Sequence, residues 1–437
     1  MSSIPTTENL KREITPVSLA LANINVMVGS GIFALPALVA EDLGATAILA
    51  YFTCAALVFL IALCFAELGS QTTISGGPYT YIEKAFGPYA GFLAGNIYLF
   101  GAMASDAALA NALADTLQIF FPALRIELNR GIFHLIIFTS LAWLNISSVK
   151  NGIRFAMLSS FAKLIPLIIL VCLAAPHVET HNLKWEVSPT LSNIGSASLL
   201  LFFAFMGFET SLINGGEIKN PSRTVPLGLF GGISIVLLLY LAIQTITQGT
   251  FGDLMTKEKA APLTSVANLV MGKTGMWLIL IVTAVSIVGS LSGEVLSMPR
   301  VMFASARDGL MPKALAKVHP KFSTPHIAIF VYAVIGFILS VSGGFKQLAI
   351  IASAAILLLY LGSVLASIKL RQQPIELHKK TFRMPGGITA PILATVGILW
   401  LLAQSSKQEI ISVFISISLF SCIYFFIWLQ KQKNKCR

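Results

Sequence analysis

Charge is what this sequence has least of. Asp, Glu, Lys and Arg make up 11% of its 437 residues, where soluble domains hold about a quarter, and mean hydropathy is +0.81. That deficit excludes an ordinary soluble fold. Cysteine is scarce as well: Cys54, Cys64, Cys172, Cys422 and Cys436 are scattered, with no pair at metal-ligand spacing. No disulfide, metal or cofactor is expected. Also missing are an intramembrane His-Glu-x-x-His, a Gly-x-Ser-x-Gly and a phosphate-cradling loop. The loops are too short for a catalytic or signalling domain, which argues against an enzyme and against a receptor-like sensor. Residues 1–15 are polar and no small-residue cleavage site follows the first apolar run, so no removed signal peptide is expected. The net charge of +11 is spread through short loops, without a basic helix or zinc-finger spacing, so nucleic acid is not an expected partner.

What the chain has instead is long apolar runs. A helix needs about 20 apolar residues to cross a bilayer, and 56% of the chain is hydrophobic. Runs fall at about 17–40, 45–68, 89–120, 132–149, 155–175, 194–216, 227–249, 276–303, 327–341, 348–368, 388–404 and 410–429. The expected class is an all-α polytopic membrane protein with twelve spans; a transmembrane barrel would show short alternating segments instead. Of the 30 Lys and Arg residues, 21 fall in segments that twelve crossings put on the side of the termini. Eight fall on the other side, and Lys163 lies inside a span. By the positive-inside rule both termini are cytoplasmic. The cluster at Lys431, Lys433, Lys435 and Arg437 then reads as an anchor at the anionic leaflet.

Two runs are interrupted. Gly29, Ser30 and Gly31 sit at the centre of the first, between Asn25 and Pro36. Glycine lets the chain leave helical geometry and lets a ligand approach the main chain, and open backbone at membrane depth is tolerated where it lines a cavity. The N–H groups that open there favour an anion such as a carboxylate; the competing reading is a small-residue helix contact. The sixth run breaks at Gly207 and again at Gly215 and Gly216. Breaks five spans apart are what two inverted five-helix repeats would give. Between the second and third runs, the glycine- and proline-rich stretch 75–91 reads as a short interfacial or re-entrant helix.

These stretches resemble the amino acid permeases of the amino acid–polyamine–organocation superfamily. The matching residues are 29–33 (Gly-Ser-Gly-Ile-Phe), 75–79 with 85–88, 203–209 running to 217–221, and Pro299-Arg300 with 306–312. The resemblance implies a leucine-transporter-like fold: a tail at 1–14, one repeat at 15–176, a second at 193–370, two further spans within 388–429, and a basic tail at 430–437. It implies a substrate carboxylate on the backbone around Val28, Gly29, Ser30, Gly31 and Ile32. It implies a substrate amine on opened carbonyls around Phe203, Ala204, Phe205, Met206 and Gly207, with Phe203 as an aromatic gate. Lys163 would stand where sodium-coupled relatives bind the cation, bracing spans one and eight, and could also lose and regain a proton each cycle. Glu209 would sense protons or staple the broken helix.

Charges inside hydrocarbon are costly and mark function or a wet cavity. Asp106 and Glu294 fall at positions that face the substrate side chain in similar arginine–agmatine antiporters, which carry uncharged residues there. Three readings follow: ligands for a cationic side chain or second amine, a shared proton site, or structural pairing such as Glu294 with Lys163. Glu67 reads as an interface residue and His134 as a packing residue. The expected function is a secondary active amino acid transporter working by alternating access in the cell (inner) membrane. It would be proton-coupled symport or exchange leaning to cationic amino acids. Alternatives are a polyamine/amino acid antiporter, or a neutral permease in which Asp106 and Glu294 are proton sites. Which amino acid is carried, and whether the chain works alone or as a homodimer, stays open at this level.

Overall fold

A computed structural model describes residues 12–29, 31–71, 76–147, 163–185, 188–213, 215–252, 255, 261–307, 309–372 and 381–435. The helices are α1 (Pro16–Met27), α2 (Gly31–Leu43), α3 (Ala47–Gln71), α4 (Pro78–Phe86), α5 (Pro88–Leu117), α6 (Glu127–Ser147), α7 (Lys163–His177), α8 (Leu191–Phe205), α9 (Pro221–Phe251), α10 (Pro262–Arg307), α11 (His326–Ser342), α12 (Phe345–Arg371), α13 (Thr389–Leu402) and α14 (Lys407–Lys435). No strand occurs among the described residues. Among the described residues, eight helical stretches are long and apolar enough to cross a membrane, and α1, α7, α11 and α13 are shorter apolar helices.

Local signals start and stop these helices where the sequence places them. Thr15 caps α1, its hydroxyl accepting the Ser18 N–H while Ser18 accepts the Thr15 N–H, and Pro16 takes the first helical position. The stretch after α3 forms the short helix α4 between Gly77 (φ +70°) and Gly87 (φ +93°). One helix was not legible: α10 begins at Pro262, about a dozen residues before the expected eighth span. It bends at Gly272 (φ +64°), so a short helix with Leu263 and Val266 buried precedes the long one.

α5 is the inner helix. Ala104, Ala107, Ala108 and Ala110 are buried on it, and α12, α10, α11 and α4 pack around it. Small side chains are what allow this closeness; a Cβ on Gly101 would sit 3.0 Å from Ile356 Cδ1 on α12. Asn111 ties α5 to the Ser340 carbonyl of α11 (2.9 Å), and Arg130 of α6 holds Asn111 and Asp115 (both 2.7 Å). At the other end, buried Glu67 of α3 takes a two-toothed hydrogen bond from Arg371 of α12 (2.5 and 2.8 Å) and the Met384 N–H (3.0 Å). Removing one partner of such a buried pair costs about 3–5 kcal/mol. Glu67, expected at the membrane interface from its place at the end of the second span, is instead a buried clamp between elements. His134 is buried on α6 beside Phe133. α14 is the outermost helix, with Phe414, Ile415 and Phe426 exposed.

Candidate functional site

The first break lies between α1 and α2. Val28 leaves the helix (ψ 70°) while its N–H still reaches the Ile24 carbonyl (2.9 Å), and Gly29 donates to Met27 (2.7 Å). Ser30 lies outside the described residues. α2 resumes at Gly31, so its first N–H groups have no acceptor within the helix and carry the positive end of its dipole. Gly31 lets α2 approach α8 closely, since a Cβ there would press on Ala204 Cβ at 3.1 Å.

The second break follows α8. Met206 turns to extended backbone (ψ 164°) and Gly207 adopts φ +105°, after which the chain continues only as short 3-10 turns at Phe208–Leu212 and Gly215–Glu217. The Gly207 N–H points forward to Glu209 Oε2 (2.9 Å), and so does not return to the Phe203 carbonyl four residues earlier. The same carboxylate oxygen accepts the Tyr360 hydroxyl of α12. Glu209 is buried and staples the broken helix, one of its two expected roles. Gly207 is required twice over, by its positive φ and because a Cβ would lie 2.6 Å from Val26 Cγ1 on α1.

The two breaks therefore touch. The Tyr240 hydroxyl of α9 joins them, its proton shared between the carbonyls of Met27 (2.6 Å) and Ala204 (3.0 Å). Beyond it, Glu13 and Ile14 donate to the Glu217 carbonyl (2.9 and 3.0 Å), which fastens the chain before α1 to the chain after the second break. Between the breaks lies a cavity of about 80 Å³ lined by Gly29, Gly31, Phe203, Ala204, Met206, Gly207, Glu209 and Glu294, among others. A water needs about 10–15 Å³ of such space, so the cavity has room for several waters or a small zwitterion. The Phe203 ring stands edge-on to Phe345, 5.8 Å between centroids.

A helix N-terminus and a helix C-terminus facing one small cavity present opposite partial charges to it. A family model described as "Amino acid permease" matches residues 14–431. The chain belongs to that family.

Its similar proteins include the branched-chain amino acid permease BcaP of Bacillus subtilis (strain 168), 27% identical over 96% of this chain and 93% of that protein. The serine/threonine exchanger SteT of the same organism is 30% identical over 93% of this chain and 94% of that protein. Cationic amino acid transporter 4 of Mus musculus is 28% identical over 84% of this chain and 60% of that protein. The permease is a multi-pass membrane protein of the amino acid–polyamine–organocation superfamily.

The other residues singled out by sequence are brought close to the cavity in different ways. Lys163 is buried, and its ammonium donates to the Asn25 carbonyl just before the first break (2.6 Å). No ion pair joins it to Glu294 among the described residues, but both line a second cavity of about 530 Å³. Glu294 lines both cavities, with Oε2 shielded from solvent and without a hydrogen-bond partner. Asp106 is fully buried but lines neither; its Oδ2 accepts the Tyr332 hydroxyl of α11 (2.9 Å) and its Oδ1 has no partner. The side chains of Val28, Ile32 and Phe205 are buried away from both cavities, so these positions offer backbone alone.

Sequence reasoning missed the tyrosines of the permease. Tyr98 lines the central cavity with its hydroxyl unpartnered, while Tyr240, Tyr332 and Tyr360 hold Met27 and Ala204, Asp106, and Glu209. All four are buried. Their one signal in the sequence is a phenol inside an apolar run, which needs a partner when buried. It also missed the lining stripe Gly101, Ser105 and Leu109 on α5, and Ser290 and Met298, which flank the expected Glu294 on α10; each stripe is spaced by four residues on one helix face.

Proposed function

We propose that the permease is a secondary active transporter that moves an amino acid by alternating access, through proton-coupled symport or exchange. The observation that carries this is the small cavity between two facing helix breaks. The start of α2, around Gly29 and Gly31, takes the α-carboxylate on its free N–H groups. The end of α8 takes the α-amine on carbonyls; Tyr240 already occupies that of Ala204, which leaves Phe203 as the first candidate. The substrate side chain points towards Glu294, the one carboxylate besides Glu209 on the cavity wall, which favours a cationic amino acid. Lys163 braces the first break from α7 in place of a coupling sodium, and Glu209 carries or senses the proton.

In this reading α1 with α2, α3, α5, α6 and α7 form the first repeat and α8 to α12, with the breaks in α8 and its 3-10 continuation, form the inverted second. α13 and α14 lie outside, twelve spans are crossed and both termini are cytoplasmic. A second reading is favoured by one observation: Asp106 sits behind the cavity wall, hydrogen-bonded by Tyr332. A neutral amino acid permease with Asp106 and Glu294 as proton sites uses it better there than a cation-binding site does. The name of the relative BcaP points the same way.

The test is exchange of labelled lysine into proteoliposomes preloaded with unlabelled lysine, competed with arginine, leucine, serine, glutamate and putrescine. Lysine exchange that arginine inhibits supports the cationic reading. Exchange of leucine or serine alone supports the neutral one. Putrescine exchange without amino acid exchange supports a polyamine carrier and removes the carboxylate site. Sodium dependence would contradict the role given to Lys163, whereas Lys163→Ala should lose proton coupling or activity.

A further inference from the structure

The central cavity continues into a larger one. The second cavity, of about 530 Å³, shares Val26, Thr210, Ser290, Glu294 and Met298 with the first. Along α10 its wall runs through Gly289, Gly293, Ser297, Arg300 and Ala304, at spacings of three and four residues that lie on one helix face. Two cations stand on this wall and one carboxylate: Lys163, Arg300 and Glu294. Lys163 gives one of its three N–H donors to the Asn25 carbonyl. On the Arg300 guanidinium, Nη1 is shielded from solvent and has no hydrogen-bond partner. An arginine nitrogen left that way in a cavity wall costs energy until an acceptor arrives, and a guanidinium fork matches a carboxylate better than any other acceptor in a transported solute.

We infer that the second cavity is a staging site for the transported amino acid. Its carboxylate sits between the Arg300 guanidinium and the Lys163 ammonium, and its ammonium faces Glu294. This rests on the transport reading above and adds to it a demand on the substrate: a ligand must carry both charges to be held there, so a polyamine would pass unheld. The physical need is clear at the first break. A carboxylate leaving the amides of α2 must give up several N–H bonds before it reaches water, and the two cations supply replacements on the way. Glu294, shared by both cavities, keeps the positive end of the solute engaged during the step.

The experiment compares half-saturating concentrations for labelled lysine, leucine and serine in inside-out and right-side-out membrane vesicles, for the wild type, Arg300→Gln, Arg300→Lys and Ser297→Glu. With both termini cytoplasmic, as proposed above, the Arg300 end of α10 lies on the cytoplasmic side. Arg300→Gln removes a charge-assisted hydrogen bond, so it should raise half-saturation about tenfold from the cytoplasmic face and less than about twofold from the outside. Arg300→Lys should restore most of the loss. Ser297 is an exposed wall residue, so Ser297→Glu places an opposing carboxylate beside the pair without disturbing buried structure. It should shift half-saturation in the same direction, and it carries the test if Arg300→Gln fails to reach the membrane. Equal shifts at both faces, a larger shift from outside, or none for either variant overturns the staging site while leaving transport standing. A wild type that moves none of the three amino acids overturns the transport reading and this inference with it.

Discussion

The two helix breaks solve one problem in opposite ways. After the first, the chain recovers within three residues and α2 runs on to Leu43; what the break exposes is the N-terminal end of a helix. After the second, no α-helix resumes before Pro221, and the chain crosses the interval in 3-10 turns held by side chains, chiefly Glu209 with Tyr360. What that break exposes is a C-terminal end. An N-terminus favours anions and a C-terminus cations, so the pair suits a zwitterion better than either break alone. The first break is held by backbone and by packing on Ala204. The second depends on a carboxylate within the break itself, whereas the titratable group at the first, Lys163, reaches it from another helix.

Substitutions can break that contrast or sharpen it. The largest effect is expected at Gly207→Val, where strain at positive φ and overpacking against Val26 cost about 1–3 kcal/mol each; both melting temperature and exchange should collapse. A variant that melts like the wild type would mean that the second break is not stiff. Gly31→Val comes next. Its overpacking on Ala204 costs about 1–3 kcal/mol, so membrane levels should hold while exchange drops about 100-fold. Normal exchange by this variant sinks the carboxylate assignment.

Tyr240→Phe removes the hydroxyl that joins the breaks. A loss of about 1 kcal/mol and exchange reduced by roughly fivefold to tenfold are expected, and an unchanged rate would show that the breaks move independently. The smallest structural effect belongs to Glu209→Gln, because an amide oxygen can still accept the Gly207 N–H. Stability should change by less than about 1 kcal/mol, while the dependence of exchange on pH flattens. If the pH profile keeps its shape, Glu209 is a staple only.

The positions of both breaks were legible because glycines gather there, Gly29 with Gly31 and Gly207 with Gly215 and Gly216, five spans apart, whereas a lone packing glycine such as Gly101 leaves its helix unbroken. Gly31 and Gly207 stand against Ala204 and Val26, residues far along the chain that no local pattern could name. Asp106 was legible as a costly buried acid, but not its direction. Gly101, Ser105 and Leu109 share the stripe that lines the cavity, and Asp106 is one residue, about 100° of helix rotation, past Ser105. That turn aims it at Tyr332 on α11 instead. The helix at the start of α10 was hidden because its apolar content is too short and too interrupted to stand out from a loop.

Composition and run length by themselves determined that this chain is an all-helical, multi-pass membrane protein, because desolvating so few charges and so much apolar surface admits no soluble alternative. The glycine positions added where helices must open. Which groups meet across those openings was decided only by the tertiary structure. Tyr240 reaches Met27 across 213 residues of chain and Tyr332 reaches Asp106 across 226. Lys163 finds the Asn25 carbonyl across 138. A hydrogen bond acts over about 3 Å of space, and sequence separation carries no information about which distant segments packing will bring that close.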